Sequence, residues 1–238
     1  MLYLIGLGLG EERDLTLRAI EIVKKCDCYC ELYTSFWHGS MKNLEEMIGK
    51  EIKTLNRRDL EEDLISFLKK AKENNIVLLV PGDPLAATTH SDIVLEAKKR
   101  RIPVEIIHNA SILSAIGEVG LQLYKYGKVA TIPLNGNLEN VKITVKGNRK
   151  LGLHTLLLFD LDKELNLYMR VFDALKMLLK KRIVSNKSKL IVFASAGKNP
   201  EIYYDNVKSL MRKRIDPPAV IVIPGKLHFR EKEFLEAL

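Results

Sequence analysis

Five uninterrupted apolar residues, Ile76 to Val80, run straight into Pro81-Gly82-Asp83-Pro84-Leu85-Ala86-Ala87-Thr88-Thr89-His90. The run has the length of a strand and no polar face, so it reads as a buried strand that empties into a loop. Two prolines stiffen that loop and one glycine frees it, while a carboxylate, two hydroxyls and an imidazole stand close together within it. A purely structural turn seldom gathers so many reactive groups. The opening Leu2-Tyr3-Leu4-Ile5-Gly6-Leu7-Gly8-Leu9-Gly10 and the segment His108-Asn109-Ala110-Ser111-Ile112 have the same strand-then-loop form. Three such loops are what an open α/β sheet offers a ligand at the carboxyl ends of its strands.

Strand-like and helix-like periods alternate along most of the chain, which predicts an α/β fold. Helices are expected over 15–25 with Asp14 as N-cap, over 60–72, over 93–99 behind Ser91, and over 111–119 closed by Gly120. Strands are expected over 28–33 and 103–107. A hinge at Gly127 predicts two α/β domains, 1–126 and 127–238. The second is expected to hold strands at 129–133, 153–159, 190–194 and 220–223, and helices at 165–179, 202–211 and 231–238. Asn135 to Lys150 is polar and rich in Asn, Gly and Lys, and reads as a hairpin or an exposed, substrate-facing loop.

The chain of 238 residues is 47% hydrophobic, enough for one large core or two small ones. Its apolar runs are of strand length and no leader-like segment precedes the first strand, so the sequence predicts a cytoplasmic protein with no membrane partner. Cys26, Cys28 and Cys30 are odd in number and too closely spaced for a usual zinc pair, and are read as buried thiols. The net charge of +8 is lopsided: 17 Lys and Arg against 19 Asp and Glu in residues 1–126, but 21 against 11 in 127–238. Lys180 to Arg182 and Arg212 to Arg214 therefore suit either an acidic partner or solvated helix ends. A single glutamine, Gln122, among many Lys, Glu, Ile and Leu points to a heat-adapted source.

Gly6, Gly8 and Gly10 do not follow G-x-G-x-x-G, and Glu11, Glu12 and Asp14 behind them would repel a diphosphate, so a dinucleotide site is disfavoured. The turn allows close approach of a ligand to the backbone, or simply reverses a strand. Asp83, between Gly82 and Pro84, reads either as a carboxylate free to face a ligand hydroxyl or ammonium, or as a lock on its own turn. Thr88, Thr89 and His90 serve equally as helix caps or ligand contacts, and His108 as a core histidine or a site residue. Ser111 at a helix start suits polar recognition of an adenine or a carboxylate. The sequence has no G-x-S-x-G, Walker lysine loop, H-E-x-x-H or paired-cysteine motif.

Taken together, several motifs resemble those of the diphthine synthases, a family of the tetrapyrrole methylase class. They are Met1 to Leu9, Tyr33-Thr34-Ser35, Pro81 to His90, His108 to Ile112, Gly120-Leu121 with Tyr124 to Gly127, Gly152-Leu153-His154-Thr155-Leu156, Ala194 to Gly197, and Pro224-Gly225-Lys226-Leu227-His228. The resemblance spans nearly the whole chain in the same order. It implies a tetrapyrrole-methylase-like fold of two domains with a cofactor cleft between them. It also implies a homodimer that uses S-adenosyl-L-methionine, releasing S-adenosyl-L-homocysteine, to methylate the amino group of a 3-amino-3-carboxypropyl-histidine on elongation factor 2, with no direct nucleic-acid partner. Carried over by position, the cofactor contacts are Leu9, Asp83, Ala86, Ser111, Ile112, Leu161, Ala194 and His228, with no residue assigned as acid or base. Asn137 to Ile143 departs from the family's aromatic, proline-rich segment. The competing readings are a related methylase acting on a tetrapyrrole or ribosomal RNA, and a non-enzymatic basic RNA-binding module.

Overall fold

The computed structural model describes residues 1–238, which pack as two compact units, Met1–Leu113 and Ser114–Leu238. The first unit is a five-stranded parallel sheet. Its strands are β1 (Leu2–Gly6), β2 (Asp27–Glu31), β3 (Lys53–Leu55), β4 (Ile76–Val80) and β5 (Val104–Ile107), in the order β3-β2-β4-β1-β5. Every residue of β4 is buried because the sheet is covered on both faces. Leu2, Leu4, Ile76 and Leu78 face α3 (Arg57–Glu61), α4 (Leu64–Glu73) and α5 (Ser91–Lys99), while Ile5, Val77, Leu79, Cys28 and Cys30 face α1 (Leu17–Val23) and α2 (Met41–Ile48). Each fully buried Leu or Ile there contributes about 1.5–3 kcal/mol. The three cysteines form no disulfide and are buried among these side chains, and burial pushes the Cys28 thiol up to about 11.

The helix over 15–25 begins later than expected. Thr16, not Asp14, is its N-cap, accepting from the Ala19 amide at 3.1 Å, and Asp14 belongs to a 3-10 turn at Glu12–Asp14. The expected helix over 60–72 is two helices, broken at 62–63. No side-chain cap marks α5; Thr88 Oγ1 accepts from the His90 amide instead. The tract after β5 forms a short helix α6 (Ile112–Ala115) and a 3-10 turn (Ile116–Val119) that ends at Gly120.

The second unit carries a mixed sheet. After β6 (Ala130–Ile132) come α7 (Glu139–Lys150), β7 (Thr155–Phe159), a two-stranded hairpin β8 (Leu161–Asp162) and β9 (Leu167–Tyr168), α8 (Val171–Lys180), β10 (Lys189–Ala194), β11 (Glu201–Asn206), α9 (Val207–Leu210), β12 (Ala219–Ile223) and α10 (Phe229–Glu236). The sheet order is β11-β10-β12-β7-β6, antiparallel except for β6 against β7. Val141 and Val145 of α7 and Val171, Ala174, Leu175 and Leu178 of α8 cover one face. The Ile116–Val119 turn packs on β10, which is why the chain changes unit near Ser114, while the hinge expected at Gly127 falls inside the second unit.

Three expectations fail here for local reasons. Asn135 to Lys150 is not a hairpin or an exposed loop. Val141, Thr144, Val145 and Asn148 share one helical face and are buried, and Asn148 donates to Lys128 O (2.8 Å) and Thr155 Oγ1 (3.0 Å) while accepting from Lys128 N (3.0 Å). The start of the expected 165–179 helix is a hairpin, because Asp162 Oδ1 accepts from the Leu165 amide and Asn166 sits at φ 52°. Likewise 202–211 opens as a strand: Ile202-Tyr203-Tyr204 pairs along β10, and helix α9 starts only where Asn206 caps the Ser209 amide. No helix is long and apolar enough to cross a membrane.

Candidate functional site: three loops at the carboxyl ends of β1, β4 and β5

In the first unit β1 and β4 are neighbours, yet β1 leads on to β2 and β4 to β5, on opposite sides in the strand order. The helices that follow them, α1 and α5, pack on opposite faces, so the chain parts at this point and leaves a crevice at the strand ends. The three loops singled out from the sequence all begin here.

They are tied to one another in a ring. Gly8 and Gly82 exchange backbone hydrogen bonds (3.1 and 2.9 Å), joining the first loop to the second. Asp83 joins the second to the third: Oδ2 meets His108 Nδ1 at 2.7 Å and accepts from the Asn109 amide at 3.2 Å, while Oδ1 accepts from the Leu85 amide at 3.0 Å. Asn109 closes the ring by donating from Nδ2 to Gly6 O and Asp14 O, both at 3.0 Å. Asp14 Oδ2 in turn accepts from the Gly10 amide at 2.7 Å. Gly6 is the tightest point. A Cβ there would overlap the Gly82 carbonyl oxygen and lie 2.8 Å from Asn109 Cβ, so only glycine lets the strands and loops close this far.

Asp83 is therefore not the free carboxylate that its setting between Gly82 and Pro84 suggested. It locks its own turn and clamps a second loop, because the proline behind it lacks an N–H but Leu85 and Asn109 supply two. His108 is no core histidine: its side chain is 67% exposed on the Asp83 carboxylate. Ser111 is buried, and its hydroxyl accepts from the Leu113 amide at 3.2 Å at the start of α6. Leu9, Ala86 and Ile112 are half-buried on the same three loops, and Ala87 is held at φ 57°.

His90 lies deeper, fully covered beside Tyr33. Its Nε2 is 3.8 Å from Glu31 Oε1, a separation that alone would favour imidazolium. Burial nevertheless pushes the imidazole down to about 4, against an opposing contact with the Pro84 backbone, and Glu31 itself is engaged by the Tyr33 and Thr34 amides (2.9 and 3.1 Å) and the Thr34 hydroxyl (2.5 Å). Glu31, and not His90, holds the Tyr33-Thr34 turn, while His90 packs edge-on against Tyr33 at 6.4 Å between ring centroids. The bridging role of Asn109 is the part of the site that sequence reasoning misses; an Asn between a strand end and a helix start is the available signal.

The remaining positions are in the second unit. Leu161, the first residue of β8, follows two positions after β7, and Ala194 is the last residue of β10; β7 and β10 run in the same direction through β12, so both positions lie beyond or at one end of that sheet. Because β12 runs the other way, Pro224 to His228 leaves from the opposite end. His228 is exposed and is the N-cap of α10, with Nδ1 accepting from the Arg230 amide at 3.3 Å. No group of three or more His, Cys, Asp or Glu side chains is arranged to hold a metal ion.

The donor set fits an adenosyl amino acid: half-buried Leu9, Ala86 and Ile112 offer apolar contact to a base, and Asp83 keeps lone pairs for hydroxyls or an ammonium. A Cβ at Gly82 would meet Ala110 O and Ser111 at 3.8–3.9 Å, so the second and third loops are in van der Waals contact there. Residues 1–210 match the family model for tetrapyrrole (corrin/porphyrin) methylases. The chain is 40% identical over 251 residues to the diphthine synthase of Methanococcus maripaludis, covering 100% of this chain and 98% of the relative. It is 40% identical over 253 residues to that of Methanocaldococcus jannaschii, with the same coverage. A crystal structure of a diphthine synthase superposes with a TM-score of 0.93 at 35% identity, covering 100% of this chain and 95% of the other. A putative diphthine synthase from Entamoeba histolytica does so with 0.90 at 32%, covering 100% and 97%.

Proposed function

This chain belongs to the tetrapyrrole methylase family, among the diphthine synthases, and is a methyltransferase of diphthamide biosynthesis; we propose that its three-loop site binds S-adenosyl-L-methionine and that its acceptor is the 3-amino-3-carboxypropyl-histidine of elongation factor 2. The observation that supports the cofactor reading best is the ring of contacts that Asp83 and Asn109 close around Gly6, Gly8 and Gly82. It sets a carboxylate, a serine and three apolar side chains on a rigid rim. Leu9, Asp83, Ala86, Ser111 and Ile112 are the first unit's proposed contacts, and Leu161, Ala194 and His228 the second's. On the same reading the protein works in the cytoplasm as a homodimer.

When bound, the cofactor supplies a methyl group already activated on a sulfonium. The protein's task is then to hold an unprotonated amine in line with that methyl carbon and keep water out; positioning of this kind lowers a barrier by up to roughly 7–11 kcal/mol. Asp83, fixed by Leu85, His108 and Asn109, orients without taking a proton, and no side chain on the rim is needed as a base. The test is to incubate the protein with S-adenosyl-L-methionine and elongation factor 2 carrying the 3-amino-3-carboxypropyl group, and to read the intact mass of the factor. Successive methyl increments are expected. No increment on this substrate, with methyl transfer to a tetrapyrrole or ribosomal RNA instead, would overturn the assignment.

A further inference from the structure

The motifs Gly152-Leu153-His154 and Pro224-Gly225-Lys226-Leu227-His228 lie far apart in sequence and meet in the second unit. His154 is fully buried at the head of β7. Its Nδ1 accepts from the Gly225 amide at 2.9 Å, so the ring proton must sit on Nε2, which points at Glu231 Oε1 at 3.0 Å. One neutral tautomer is thereby selected, in keeping with burial, which pushes this imidazole down. Glu231, 1% exposed, also accepts from the Gln122 amide (3.0 Å), the His228 amide (2.6 Å) and Lys125 Nζ.

The loop is gripped at successive backbone groups. Gly225 N goes to His154, Lys226 N to Gly152 O (2.9 Å), Lys226 O to Lys125 Nζ (2.8 Å) and His228 N to Glu231. At Gly225 a Cβ would overlap the Gly152 carbonyl oxygen and lie 2.5 Å from the Leu153 carbonyl carbon, so the glycine is what admits the contact. Tyr126 closes over His154, ring centroids 5.5 Å apart. A buried carboxylate and imidazole with a half-buried ammonium make a costly way to cap an eight-residue helix, which a serine or aspartate would cap without burying charge. Such networks specify one geometry more than they add stability.

We infer that His154 and Glu231 are a positioning pair that sets the Pro224–His228 loop, and through it the ring of His228, for binding the cofactor. The inference rests on the methyltransferase reading above, with His228 as one of its contacts. His228 Nδ1 is spent on the Arg230 amide, so its Nε2 is the atom left to face a ligand, and its place follows from the backbone that His154, Lys125 and Glu231 hold.

The test is a double-mutant cycle on the full chain, reading affinity for S-adenosyl-L-homocysteine by calorimetry and KM and kcat for methyl transfer. His154→Gln keeps a donor for Glu231 but deprives Gly225 of its acceptor; His154→Asn keeps an acceptor near the Nδ1 position. We expect His154→Gln to weaken binding about 10-fold and raise KM with kcat within twofold, His154→Asn to recover most of that loss, and His154→Gln to cost nothing more once His228→Ala is present. Equal losses with and without His228, or no loss from His154→Gln, would overturn the positioning role. So would unchanged affinity in His228→Ala, which leaves the methyltransferase reading standing. Wild-type protein that neither binds S-adenosyl-L-homocysteine nor transfers methyl would overturn both. If His154→Gln does not fold, Lys125→Met, which releases Lys226 O from a half-buried side chain, takes its place in the cycle with the same expected outcomes.

Discussion

Asp83→Ala is the substitution that most directly tests the ring of loops. It removes the acceptor from two backbone amides, Leu85 and Asn109, and from His108. The His108 pair is exposed on one side and is worth at most about 1 kcal/mol. The amides decide the outcome: each is partly buried and bonded to a carboxylate, and each loses about 1–2 kcal/mol when left without it. Together they cost roughly 2–4 kcal/mol, or about 6–12 °C of melting temperature at about 3 °C per kcal/mol for a chain of this size. Asp83→Asn keeps Oδ1 for Leu85 and turns an NH2 toward the Asn109 amide, so about half that loss is expected. Calorimetric melts with and without S-adenosyl-L-homocysteine separate the clamp from ligand contact. An Asp83→Ala protein that melts within 1 °C of wild type yet no longer binds would refute the clamp and return Asp83 to the role of a free ligand contact.

Gly6→Ala drives a methyl group into the Gly82 carbonyl and Asn109, and should cost about 3 kcal/mol while abolishing S-adenosyl-L-homocysteine binding, as read by thermal melts and calorimetry on the same sample. Asn148→Ala orphans Lys128 N and O and the Thr155 hydroxyl, and a loss of about 2–4 kcal/mol in urea unfolding is expected, with cofactor affinity kept if α7 lies outside the cofactor contacts. Burial pushes the Glu231 carboxyl up, but bonds from Lys125, the His228 and Gln122 amides and His154 outweigh it and hold it down at about 2. Being depressed in the folded state, it contributes stability that is present above the ordinary value of 4.5 and is lost as pH falls toward 2; the gap in melting temperature between wild type and Glu231→Gln should close across that window.

What the sequence disclosed and what it hid follow one physical line. The strands of the first unit were legible because a parallel sheet covered on both faces needs unbroken apolar runs such as Ile76 to Val80, and these leave little room for another reading. The three loops were legible because their chemistry exceeds what a turn requires. The second unit was harder, since its elements are set by partners distant in sequence. Tyr203 and Tyr204 become strand only because β10 offers its edge, and Asn148 becomes a core residue only because Lys128 and Thr155 supply all its bonds.

The same distinction explains why Asp83 was misread. Local sequence correctly placed a carboxylate at a strand end, and it even supplied the turn lock as an alternative to a free side chain. It could not say that Asn109, from a loop 26 positions later, would donate its amide to the same oxygen, or that Asn109 would also reach back to Gly6. Long-range polar contacts carry no periodicity, and a sequence marks them only as hydrogen-bonding residues left over beside a glycine. Asn109 against Gly6 and Gly8 and Asn148 against Gly127 have that form: a side chain packed where the facing backbone has given up its own Cβ. Read in pairs across the chain, such glycines and polar residues point to where two segments close on each other, and in this protein the Asn109 pairs lie in the loop ring of the candidate site.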